Sequence, residues 1–139
     1  MLTKIFEYLK NVCTSDELLG QNVNGYYLLD VPDDPSFPYM LMQRFNSFYV
    51  QNAKNDNRIF EIKFDLVFGF NYYDEFFVSE FSEKITELFG HKTHVDHDVE
   101  LIISIDKQSV VKNDELWRIV FNFSGFVFIK TELSKPIDF

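Results

Sequence analysis

Leu2, Ile5, Phe6, Leu9 and Val12 recur at helical spacing and predict an amphipathic helix with one buried face. Thr14, Ser15 and Asp16 interrupt the pattern, and Glu17, Leu18 and Leu19 are expected to add a single turn closed by Gly20. Residues 23–31 read as a first strand, with Gly25 as its candidate bulge. Pro32, Pro35 and Pro38 then bracket Asp33, Asp34 and Phe37 in a stiff extended loop, because proline cannot donate to a central ladder. Two long strand patterns follow, over 39–50 and 58–70. In the second, Phe60, Ile62, Phe64, Leu66, Phe68 and Phe70 alternate with Glu61, Lys63, Asp65, Val67 and Gly69, a period of two. The polar run QNAKNDN between them predicts a hairpin loop. Fully extended at ~3.3 Å per residue, each arm would span about 40 Å. A small domain is only ~30 Å across, so the hairpin is expected to overhang its own body.

A second helix is predicted over 74–89, with Asp74 as N-cap and Glu75 in its first turn. Phe77, Phe81, Ile85, Leu88 and Phe89 form its apolar stripe, and Gly90 its stop. The polar segment HKTHVDHD is expected to be a connection, followed by two strands over 99–111 and 116–130. The result is an α+β domain: a largely antiparallel twisted sheet containing a long β-hairpin, with one long helix across a face and an N-terminal helix. At roughly 100–200 residues per domain, the 139 residues form one domain, 1–139. Residues 131–139 are expected to be a tail, mobile unless docked.

Composition changes this picture in two ways. The chain holds 17 Phe, 7 Tyr and 1 Trp. A domain of about 150 residues buries roughly 68–70% of its unfolded surface, so some rings are expected to be covered by a partner subunit or a ligand. Second, 13 Lys+Arg against 22 Asp+Glu give a net charge of -9, which disfavours a protein that grips phosphate backbones. No run of about 18 apolar residues is present to span a membrane. The first ten residues mix charge with apolar positions, unlike a signal peptide, and a soluble protein of a reducing compartment is expected.

Candidate chemistry is sparse. His91, His94 and His97, with Asp96 and Asp98, form the densest set of metal-ligand types. Their spacing matches no strong motif, and a solvated connection near a helix C-terminus accounts for them. Asp33/Asp34 and Asp96/Asp98 are paired carboxylates, but acid–base work would need one of them desolvated, and both pairs read as solvated loop residues. Cys13, the single cysteine, lies beside the first helix's apolar stripe, where a buried thiol is the ordinary outcome. Neither a G-x-S-x-G elbow, a phosphate loop nor a dinucleotide fingerprint occurs. No enzyme, cofactor or metal site is expected. Phe60, Phe64 and Phe68 are core-face positions, and those beyond the helix's reach are expected to pack onto a neighbouring subunit.

The order of elements resembles the tail terminators, the small tail-completion proteins of long-tailed bacteriophages and gene transfer agents. The similarity runs from about Leu2 to Lys130 and rests on order and spacing: an N-terminal helix, the D-E-L-L-G segment Asp16–Gly20, a strand, and a proline-rich stretch running into Pro38-Tyr39-Met40-Leu41. A charged loop, an alternating strand, an amphipathic helix and a terminal strand pair follow. The chain departs from that pattern in its wealth of Phe, Tyr and Asn and in the His91–Asp98 insert. The resemblance implies a structural virion protein at the head–tail interface, assembled in the bacterial cytoplasm. It would form a ring, typically a hexamer, that caps the tail tube, ends its polymerisation and docks a head-completion protein. DNA would pass through without specific binding, kept from sticking by the acidic charge. Geometry, with no family motif fixing individual residues, makes the expected contacts with a sister subunit or the tube the hairpin Tyr39–Phe70 with Lys54, Asn55, Asp56 and Asn57 at its tip, Phe60, Phe64 and Phe68, and Phe37 in the proline loop. Another neck component is a related alternative. A small-ligand protein with an aromatic-lined pocket is the alternative from a different class.

Overall fold

The computed structural model describes residues 1–50, 57–72, 74–97 and 99–130. It is an α+β fold: a six-stranded sheet and three helices, in the order α1 (Leu2–Ser15), α2 (Glu17–Asn22), β1 (Gly25–Leu28), β2 (Tyr39–Val50), β3 (Asn57–Phe70), α3 (Glu75–Phe89), β4 (His91–Asp96), β5 (Val99–Asn113) and β6 (Leu116–Lys130). The helices begin where local chemistry satisfies their first amides. The Asp16 carboxylate accepts from the Leu19 N–H at 3.0 Å, and that of Asp74 accepts from the Phe77 N–H at 3.2 Å. Asp16 also meets the Lys84 ammonium at 3.5 Å, tying α2 to α3.

Strand order is β1-β2-β3-β6-β5-β4. Only the β1–β2 pair is parallel among the described strands. β3 pairs with β6 along its whole length, from Asn57↔Lys130 to Phe70↔Trp117. The far end of β3 is therefore flanked by β6 and, beyond it, β5. Residues 51–56, 73, 98 and 131–139 lie outside the described residues, and with them the expected hairpin tip at Lys54, Asn55 and Asp56, the tail and Asp98.

The alternation of β3 is realised in burial. Ile62, Phe64, Leu66, Phe68 and Phe70 are 0–1% exposed and face the helices. Across the ladder Phe64 stacks on Phe123 with centroids 4.9 Å apart and planes 4° from parallel. Phe81 of α3 sits edge-on to Phe68 and Phe70, at 5.8 and 5.3 Å. Such ring pairs contribute about 0.5–1.5 kcal/mol beyond area burial. Gly125, opposite Ile62, has no room for a side chain: a Cβ there would fall on the Ile102 carbonyl oxygen.

Three expectations need correction. The His91–Asp98 segment is largely a strand, β4, whose residues pair with Val99–Ser104 of β5. A strand at the sheet's edge bonds on one side only and tolerates polar residues, which disguised it. The first strand is shorter than 23–31, because Val23 caps α2 and Leu29 turns into the left-handed region at φ 71°. Gly25 opens β1 in register with Tyr39. The irregularities fall instead in β2 at Arg44–Phe45, where Arg44 has φ 53°, and in β5 at Asp106.

Truncating Phe64 to Ala is expected to cost about 3–5 kcal/mol of stability. The exposed Phe48→Ala should stay within about 0.5 kcal/mol. Urea unfolding of both variants checks this, and comparable losses would contradict the assignment of the two faces.

Candidate functional site

Register decides which side chains lie on the sheet face that the helices leave uncovered. The extra residue in β2 reverses its parity: Met40 and Met42 face the helices, whereas Phe48 and Val50 are paired with Glu61 and Ile59 on the other side. Two adjacent cross-strand rows result. One runs Val50–Ile59–Phe128–Glu100–Val95 and the other Phe48–Glu61–Phe126–Ile102–Thr93. Phe48 is 56% exposed, Val95 62% and Phe126 41%, and Phe126 lies 6.3 Å from the Phe128 ring. An apolar stripe thus crosses five strands on the open face. Contiguous patches of this kind mark interaction sites more often than isolated exposed residues do.

Next to the stripe the same face is polar. Asp65, almost fully buried, accepts from the Asn122 amide at 2.6 Å and lies 3.8 Å from Arg44. Over the open face as a whole, register sets Arg44, Lys63, Lys107 and Arg118 beside the stripe with Asp65 and Asp106, against Glu61 and Glu100 within the stripe itself. That balance contrasts with 13 basic and 22 acidic residues in the whole chain. Repulsion between copies of an acidic protein is weakest across such a face. Further along, the proline loop folds onto it: Phe37 lies 5.4 Å from Tyr39, in a small cluster with Leu41 and Val67.

The residues singled out in the sequence separate on this geometry. Phe64 and Phe68 are 1% and 0% exposed inside the protomer, so they cannot supply the subunit contact expected of them. They lie in the core that α1, α2 and α3 share with the sheet. Phe60 is half-buried on the helix side, 5.6 Å from Tyr49. Asn57 begins β3, and Phe37 is half-buried on the open face. Sequence reasoning included Phe48 within the hairpin Tyr39–Phe70 without singling it out, and missed Ile102, Phe126 and Phe128. The apolar outward positions of β6 were the available signal.

The histidines do not converge. His91 and His94 alternate along β4 to opposite faces, and His97 follows in a turn at φ 51°. His94 instead stacks on Tyr8 of α1, centroids 4.1 Å apart. Among the described residues no three His, Cys, Asp or Glu side chains group to hold a metal. Asp33 and Asp34 are exposed. Cys13 is fully buried, and burial, with Asp16 adding to it, pushes its thiol up to about 12. The hollows lie outside the aromatic core. A surface groove of about 800 Å³ along α1 is lined by Lys4, Glu7, Asn11, Asp16 and their neighbours. No described helix is long and apolar enough to cross a membrane.

No protein-family model matches this chain, and comparison with curated proteins finds no relative.

Cys13 should resist an aromatic disulfide reagent in the folded protein at pH 8 and react fully once urea unfolds it. Burial also drives the Tyr26 phenol up to about 12. Both groups hold their protons more tightly when folded, so the unfolded chain deprotonates first as pH rises. Stability attributable to them is complete below about pH 9, the ordinary thiol range, and declines towards pH 12. The urea midpoint measured from pH 8 to 11 should therefore fall above pH 9, and a rise would contradict the burial of these groups.

Proposed function

We propose that this chain is a structural subunit that associates with copies of itself in a ring, caps the end of a phage tail tube and offers a docking surface to a head-completion protein. The apolar stripe on the open sheet face carries the self-association. Phe48, Phe126 and Val95 stand in water on a face that a neighbour can cover, as expected of an interface resembling a divided core. The role at the tube rests on the order of elements, which resembles the tail terminators from the N-terminal helix to the closing strand pair. The strongly acidic charge suits a conduit through which DNA slides without adhering.

In this reading β2 and β3 reach outward with β6 and β5 beside them, and Phe37 in the proline loop adds a second contact. The pocket alternative draws less support. Phe64, Phe68, Phe81, Phe121 and Phe123 fill the core against each other, so the apolar hollow beside α1, about 310 Å³, is lined by Ile5, Tyr8, Val99, Leu101, Val127 and Ile129 and by none of these rings.

Mixing the purified protein with growing tail tubes tests the proposal by electron microscopy. Ring-shaped density at one tube end and arrested elongation are expected. Phe48→Asp together with Phe126→Asp should reduce end occupancy at least tenfold, equivalent to about 1.4 kcal/mol of binding free energy. Tubes that elongate at an unchanged rate, with bare ends, would remove the proposal.

A further inference from the structure

We infer that a hollow between Arg44 and Arg118 on the open sheet face binds a carboxylate carried by an extended acidic segment of a partner protein. This site is separate from the apolar stripe and does not depend on the tail-capping reading.

Register builds the site from three cross-strand rows at the proline-loop end of the face. Tyr39–Gly69–Arg118–Val111 form one, Leu41–Val67–Val120–Ser109 the next, and Gln43–Asp65–Asn122–Lys107 the third. A hollow of about 310 Å³ lies here, lined by Val67, Val111 and Val120 and by the guanidinium-bearing Arg44 and Arg118. Gln43, Ser109 and Asn122 add neutral polar groups, and Asp65 is the only carboxylate in the lining.

The two arginines stand in different surroundings. Arg44 sits at the irregularity of β2 with φ 53°, and its side chain is 79% exposed. Arg118 Nε is shut off from water and meets no hydrogen-bond acceptor among the described residues. A buried donor on a charged group costs more to leave unpaired than an ordinary one. Asp65 is already engaged: its carboxylate accepts from the Asn122 amide at 2.6 Å and lies 3.8 Å from Arg44. Two rows, roughly 13 Å along the strands, separate its backbone from that of Arg118.

Charge selects the ligand. Beside the stripe Arg44, Lys63, Lys107 and Arg118 face only Asp65 and Asp106, while Glu61 and Glu100 belong to the stripe's own rows. Charges more than ~8 Å apart are largely screened at physiological salt, so a ligand in the hollow meets this local excess rather than the net -9. Guanidinium groups pair with carboxylate or phosphate in fixed geometry. Within the lining, two guanidiniums against Asp65 leave a single net positive charge, which matches a carboxylate monoanion better than a phosphate dianion. A free acid would gain only the ion pairs. A carboxylate on an extended chain also lays its neighbours over Val67, Val111 and Val120, of which Val111 is 45% exposed. A second copy would bring a net charge of -9 with it, an acidic segment only its own few charges.

Fluorescence anisotropy with a labelled alternating Glu/Val hexapeptide and its Gln/Val counterpart, at about 0.15 M salt, tests this. The Glu peptide should bind at least roughly tenfold more tightly, a difference of about 1.4 kcal/mol. Arg118→Met and Arg44→Met should each weaken it by a similar factor, whereas Lys63→Met, outside the hollow, should leave it nearly unchanged. Arg118→Met should also keep or raise the urea midpoint, because the buried Nε it removes has no partner in the protomer. A midpoint well below wild type, equal binding of the two peptides, or an Arg118→Met protein that binds like wild type would overturn the inference. Glutarate or inorganic phosphate binding as tightly as the Glu peptide would reassign the hollow to a small anion and overturn the choice of occupant. Self-association of wild type that Arg118→Met abolishes would overturn it in favour of a second copy.

Discussion

Two extra residues, one in β2 and one in β5, flank the stacked Phe64–Phe123 pair at a single level of the sheet, and the rest of the structure follows from them. Below that level Met40 and Met42 face the helices in step with Leu66 and Phe68. Beyond it β2 has changed parity, so Phe45 still joins the core while Phe48 and Val50 turn to the other side. In β5 the same device sends Lys107 outward and keeps Val110 on the helix side. A sheet can drop one residue out of register without losing its ladder, at the cost of a local bend and stronger twist.

The sheet is consequently finished on one face and unfinished on the other. Helices and stacked rings account for the inner face, where the largest side chains are almost completely removed from water. Among the described residues the outer face receives only the proline loop at one end, with Tyr39 laid over Gly69 beneath Phe37. An apolar stripe remains there, on a face whose basic and acidic residues balance, in a chain whose net charge is -9. This arrangement is what the proposed assembly role rests on, and it leaves part of the chain's aromatic surface in water.

Much of the architecture was legible in the sequence. Asp74 reads as a cap and acts as one, whereas Asp16, read as an interruption of α1, proves to cap α2, and the period-two run from Phe60 to Phe70 faces the core as written. Local signals suffice there because capping and alternation need only neighbours within a few residues. β4 was not legible, because an edge strand is specified by its partner β5 more than by its own polar residues. The candidate site was read in part. The expectation of uncovered rings suits the structure, yet Phe64 and Phe68 were assigned to the wrong side of the protomer boundary.

By itself the sequence determined the α+β class, the start of α3, the inward run of β3 and the acidic charge, all of which depend on residue type and short-range spacing. Only the tertiary structure decided which rings meet water. That choice depends on register between strands far apart in the chain, where one inserted residue turns every side chain after it to the opposite face.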